Sequence, residues 1–153
     1  MRIADILNKS CVIASIASKT KKEALVELVG ALKQANLIED VEKAVNIILE
    51  REKLGSTGIG DGVAIPHGKM KSINNILCVF GKSKDGVDFD AIDGKPVYIF
   101  FLLLAPEGLA SQHLKTLSRI SKLLRDPSFR KMLMELSDSR EIYDKIIEED
   151  NKN

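Results

Sequence analysis

The chain has no tryptophan, and aromatic residues make up only 5% of its 153 positions. Base stacking on rings is thus poorly supplied, which weighs against single-stranded nucleic acid as a ligand. The core must be mainly aliphatic. An excess of one charge is also missing: 23 Lys and Arg stand against 22 Asp and Glu, a formal net charge of +1. That balance gives no reason to expect nucleic acid or an anionic membrane surface as a partner. Only two cysteines occur, Cys11 and Cys78, far apart in sequence. They do not make a disulfide framework and read as reduced core thiols of a cytoplasmic protein. No apolar run approaches the roughly 18 residues that a bilayer span needs. The longest, Val97 to Ala105, is strand-sized. The start, Met1-Arg2-Ile3-Ala4-Asp5, lacks the apolar segment of a signal peptide. The expectation is a soluble cytoplasmic protein with no direct membrane insertion.

What is present is an ordinary globular composition, 44% hydrophobic, in a length that suits one domain, here residues 1–150. Ile3 to Leu7 reads as a short helix and Cys11 to Ile16, rich in β-branched residues, as a strand. Thr20 and Glu23 form a capping box ahead of Leu25, Leu28, Val29 and Leu32, so a helix is predicted over about 21–35. Asp40 caps a second helix that runs to about Lys53, with Val41, Ala44, Val45 and Ile48 as its stripe. A strand is expected at Val63 to Ile65 and a turn at Pro66 to Gly68. Ile76 to Phe80 reads as a buried strand, Asp85-Gly86 and Asp93-Gly94 as turns. Val97 to Leu104 is apolar on both faces, the mark of a central strand covered on both sides. A helix from about Ala110 to Leu124 follows, with Leu114, Leu117, Ile120, Ser121 and Leu124 on its apolar side. Asp126-Pro127 and Asp138 open two more helices, and Glu148 to Asn153 is expected to fray. Helices at both ends and strands in the middle imply a three-layer α/β/α sandwich with a central mixed sheet.

Chemistry points to the segment from Gly55 to Gly68. Five of its fourteen residues are glycine, too many for a helix. It follows a helix and leads into a strand, so it is not a dinucleotide fingerprint, and Gly81-Lys82-Ser83 lacks the first glycine of a phosphate-binding loop. Exposed amides here can form an anion-binding concavity, with Ser56, Thr57, Gly58, Gly60 and Gly62 as candidates. His67, between Pro66 and Gly68, sits at the exit of that segment. His113 is the other histidine, near a helix start, and the two can meet if that helix start lies beside the turn. No pair of His and Cys has zinc-site spacing, so no metal is expected. Asp85, Asp88, Asp90 and Asp93 read as a solvated rim.

Arg51 to Lys69, Phe89 to Val97, and Ala105-Pro106-Glu107-Gly108 with His113-Leu114-Lys115 and Leu117 together resemble the EIIA domains of the bacterial phosphoenolpyruvate:sugar phosphotransferase system, fructose/mannitol class. The resemblance covers nearly the whole chain. It implies that His67 accepts a phosphoryl group from the phosphocarrier protein HPr and passes it to an EIIB component of a sugar permease. It further implies that His113 contacts that group and that Arg51 offsets its charge. No cofactor is implied. The nitrogen-regulatory branch shares the same stretch and serves in signalling through protein partners; the Ala105 to Gly108 loop leans toward the fructose type. Ile59 and Val63, with the helix around His113, are the expected docking rim.

Overall fold

The computed structural model describes residues 1–152. A short 3-10 turn, Ile3–Asp5, precedes strand β1, Leu7–Ile13. Two helices follow, α1 (Lys21–Gln34) and α2 (Val41–Glu52), then three short strands, β2 (Gly58–Gly60), β3 (Val63–Ala64) and β4 (His67–Lys69). Two long strands, β5 (Leu77–Val87) and β6 (Val97–Ala105), lead through a 3-10 turn at Glu107–Leu109 into helices α3 (Ala110–Leu123), α4 (Pro127–Glu135) and α5 (Ser139–Asn151).

Local chemistry sets most of these boundaries. Asp40, Asp126 and Asp138 each accept an amide hydrogen bond from the first turn of α2, α4 and α5, and Pro127 opens α4 without leaving an unpaired N–H. At α1 the Thr20 hydroxyl accepts from the Glu23 amide but donates to the Glu23 carboxylate at 2.8 Å, so the two side chains of the box bond each other.

The sheet order is β1-β5-β6-β3-β2, with β4 also on β6. It is mixed, as the sequence implies: β1/β5, β3/β6 and β4/β6 are parallel, β5/β6 and β2/β3 antiparallel. Helices α1 and α2 pack on each other and against β5 and β4, while α3 lies on β6 and α5 on β1. Strand β6 is the predicted central strand, buried at every position but Tyr98. All five phenylalanines are buried, in two edge-to-face pairs plus Phe129. None is left on the surface to stack on a ligand.

Several local expectations are corrected. Leu7 begins a strand rather than ending a helix, because the chain pairs there with Cys78 on β5 and buries the Leu7 side chain. Asp85-Gly86 is not a hairpin turn: β5 continues through it, with a register shift between Lys82 and Val87 that absorbs the positive φ of Gly86. Pro66 to Gly68 is not a turn either. Pro66 has no N–H to give to a ladder, so pairing with β6 lapses there and resumes at His67 as β4. Residues 148–151 belong to α5, where the buried Asp150 carboxylate accepts from the Ile3 amide and Arg119. Asn153 lies outside the described residues.

Candidate functional site

Strand β4 pairs His67 with Leu103, Gly68 with Leu104 and Lys69 with Ala105. A Cβ at Gly68 would stand 2.7 Å from Ile47 on α2, so Gly68 is where that helix closes on the sheet. By strand alternation His67 and Lys69 share the other face. Beyond its pairing with β4, the chain turns at once into α3 and places His113 in that helix's first turn. The His67 and His113 rings meet edge to face, centroids 5.5 Å apart. The last turn of α2 adds Arg51. These groups line a hollow of about 620 Å³ together with Lys69, Leu54 and Leu114. A second hollow, about 320 Å³, opens on the other side of Arg51 and His67 and includes Ser56, Ile59 and Ser118.

His67 Nδ1 lies 2.9 Å from the Ile65 carbonyl oxygen. A carbonyl only accepts, so Nδ1 carries the proton and Nε2 keeps its lone pair. Burial pushes the His67 pKa below the ordinary 6.5, and the Arg51 charge works in the same direction against the Ile65 bond and Glu52. His113 is 4% exposed, and burial, with His67 and Lys69 nearby, lowers its pKa to about 4. Both imidazoles are neutral at pH 7. His113 Nε2 is the one buried side-chain polar atom without a hydrogen-bond partner among the described residues. Ala110, the first residue of α3, also lines the larger hollow, and no side chain caps that helix end. The arrangement suits an anion attached to His67 Nε2, met by a guanidinium, an ammonium, an unpartnered imidazole and the positive end of a helix.

The low His113 pKa makes a stability prediction. Between pH 6.5 and about 4 the unfolded chain takes up a proton on this imidazole that the folded chain does not. Stability is thus retained above pH 6.5 and lost as pH falls to about 4. The loss from this group is on the order of 3 kcal/mol. Urea unfolding at pH 7 and pH 4.5 should show a smaller difference in His113→Gln than in the parent; equal differences would contradict the assignment.

Of the residues singled out in the sequence, His67, His113 and Arg51 come together, whereas the glycine segment does not form a cradle around them. The amides of Thr57 and Gly58 are committed to the Glu52 carboxylate and the Ser56 hydroxyl. Ser56 in turn donates to the Phe89 carbonyl. Gly60 lies toward Asp93 and Gly62 against the Tyr98 ring. A Cβ at Gly58 would stand 2.8 Å from Ala91 Cβ and 2.9 Å from its Cα. That glycine allows two backbones to meet, so Gly58→Ala should cost about 1–3 kcal/mol, read as a lower urea midpoint at unchanged slope. Val63 is buried in its pairing with Ile99 and offers nothing to a partner. Ile59 is 46% exposed, as its place between two glycines suggests. Leu114, expected on the buried side of its helix, is 69% exposed at the hollow's rim, and Leu54 is 84% exposed. Helical spacing alone did not separate Leu114 from its buried neighbours. Lys69 was legible in principle, two positions from His67 on a strand, had β4 been recognised as one. Glu52 gave no signal.

The crystal structure of the nitrogen regulatory protein IIA-Ntr from Neisseria meningitidis superposes with a TM-score of 0.87 at 34% identity, covering 94% of this chain and 98% of that one. The family model for the phosphoenolpyruvate-dependent sugar phosphotransferase system, EIIA 2, matches residues 5–149, and the chain belongs to that family. It is 44% identical over 144 residues to a nitrogen regulatory protein of Bradyrhizobium diazoefficiens, covering 94% of this chain and 93% of that protein. It is also 41% identical to the fructose-specific EIIABC component of Bacillus subtilis, over 98% of this chain but 24% of the relative's length. Among the described residues no helix is long and apolar enough to cross a membrane.

Proposed function

We propose that this chain is a phosphocarrier that takes a phosphoryl group from phospho-HPr onto His67 Nε2 and gives it to an EIIB component in a fructose- or mannitol-type uptake relay. The observation that carries the reading is the Nδ1–Ile65 bond, which leaves Nε2 as the nucleophile 5.5 Å, ring to ring, from a second neutral imidazole. The Nε2 lone pair attacks phosphorus, the donor's bond to phosphorus breaks, and the donor keeps that electron pair. Such a transfer needs positioning and charge neutralisation rather than covalent help. Arg51 and Lys69 supply positive charge, and His113 Nε2 gains a partner in a phosphoryl oxygen. Incubation with phosphoenolpyruvate, Enzyme I and HPr should place phosphorus on His67 Nε2, read by phosphorus and nitrogen NMR. Label on another residue would reject this assignment.

A second reading is favoured by the nitrogen regulatory relative that matches over nearly its full length. In it, the phosphorylation state of His67 governs binding to a regulatory protein partner. Rapid onward transfer to a fructose- or mannitol-type EIIB supports the relay. A phospho-form that no such EIIB discharges, with a partner held by one form only, supports the regulatory reading.

Donor and acceptor must bury the same histidine in turn, so they share one modest surface, of the transient class below roughly 1,200 Å². Leu54, Ile59 and Leu114 form its apolar rim. Ile59→Glu should slow acceptance and onward transfer together by about tenfold or more, with the melting temperature unchanged. Unchanged rates, or lost stability, would remove Ile59 from the surface.

A further inference from the structure

A chain of contacts runs from a buried ion pair to the His67 ring. Lys21 Nζ, at the first residue of α1, lies 2.9 Å from a Glu52 carboxylate oxygen at the end of α2. The Glu52 side chain is 3% exposed and that of Lys21 17%. Lys21 Nζ also sits 4.9 Å over the Phe89 ring and 3.8 Å from Asp90. The same Glu52 carboxylate accepts the Thr57 amide, at 3.1 Å and 3.3 Å to its two oxygens, and the Thr57 hydroxyl. The Thr57 carbonyl accepts the Ile65 amide at 3.0 Å. The Ile65 carbonyl accepts His67 Nδ1–H at 2.9 Å.

We infer that Lys21, Glu52 and Thr57 are positioning residues that fix the orientation and tautomer of His67. The inference rests on His67 as the phosphoryl acceptor for its purpose, though not for its geometry. Glu52 holds Thr57 by its amide and hydroxyl, and the next peptide, which carries the Thr57 carbonyl, is held at its Gly58 amide by the Ser56 hydroxyl. The Thr57 carbonyl in turn holds the Ile65 amide, and with it the position of Ile65. Ile65 stands where pairing with β6 lapses: Ala64 pairs with Phe100, and the next bond from β6 is that of the Leu103 amide to the Pro66 carbonyl. The Ile65 carbonyl is therefore available to the imidazole. If the anchor is lost, Ile65 keeps only the ladder contacts on either side, at Ala64 and Pro66; its carbonyl is then held less firmly toward Nδ1, and the form protonated on Nε2, the atom that must attack, gains population. A buried ion pair contributes little to stability compared with an apolar pair of similar shape, so orientation is the more economical account of this one. Arg51, the neighbour of Glu52, holds the Gly55 carbonyl at 3.0 Å, and adjacent residues at the end of α2 thus fix both the loop and the cation of the site.

The test is nitrogen NMR on the full chain labelled in histidine, which reads the protonated nitrogen of each ring. In the unmodified protein at pH 7.5, His67 should carry its proton on Nδ1; a proton on Nε2 overturns the inference without any variant. Thr57→Val and Glu52→Gln should then move population to the Nε2–H form and slow the saturated rate of acceptance from phospho-HPr about tenfold or more. The phospho-HPr concentration at half-saturation should stay unchanged, because docking is untouched. Thr57→Ser, which keeps both donors, should restore the parent's tautomer and rate. Folded Thr57→Val and Glu52→Gln proteins that keep the parent's tautomer overturn the inference. A tautomer that follows the anchor while even the unmodified protein accepts no phosphoryl group upholds the positioning role and rejects the phosphocarrier reading instead.

Discussion

His67→Ala should accept no phosphoryl group above background from phospho-HPr, a fall of at least about 10⁴-fold, the scale of losing the nucleophile from a catalytic unit. Nothing else in the hollow replaces it. His113 lines the hollow too, but at 4% exposure its ring is far less open to an incoming donor than that of the partly exposed His67. Ser56 and Thr57 hydroxyls are already bonded to Phe89 and Glu52. His67 is partly exposed at the junction of the two hollows, so alanine there leaves the core intact and the loss is one of chemistry. The measurement is label incorporation with Enzyme I and HPr, alongside thermal melting. Incorporation at the parent's level would remove His67 from the role.

His113→Ala should have the second largest effect. Here His67 remains and is still modified, but acceptance and onward transfer slow by about 10²–10³-fold, the usual result of removing one preorganised donor from developing charge. The argument starts from the unpartnered Nε2 atom. An orphaned buried polar group costs about 1–3 kcal/mol in the resting protein. A phosphoryl oxygen ends that orphan state, so the imidazole interacts more strongly with the transferring group than with the empty site. His113→Gln, which keeps an amide donor, should recover part of the rate. Equal rates in His113→Ala and the parent would show that the imidazole contributes packing only.

The parts of this molecule readable from sequence are those governed by neighbours in the chain. Asp40, Asp126 and Asp138 announce helix starts because capping is settled within three residues. Val97 to Ala105 announces the central strand because burial on both faces leaves no polar position. The parts that were not readable depend on distant segments. Gly58 to Gly60 becomes a strand only because β3 lies beside it, and β4 only because β6 offers an edge at Leu103. The same limit applies to the site. His67, His113 and Arg51 stand out by residue type, and the resemblance joined them. Glu52 looks like any helix-end carboxylate until Lys21 is brought to it from α1. The glycines were legible as a departure from helix, but what lies against them, Ala91, Asp93 and Tyr98, comes from later in the chain. Leu114 differs from Ile120 only in what the fold leaves above it.

The two sides of β6 are acquired differently. β5 is its antiparallel neighbour, joined through residues 88–96, and closing so short a loop costs little entropy. β3 and β4 come from earlier in the chain and pair with β6 in parallel, with β5 intervening in sequence, a longer closure than that of the hairpin. α3 comes later still, since its residues follow β6 in the chain. In chain order the strand bearing His67 is made before β6, and the helix bearing the second imidazole after it. A nascent chain that has not yet released the fourteen residues of α3 holds a lone imidazole on an open sheet edge. The pairing of the two imidazoles is thus a property of the chain only once α3 has been made.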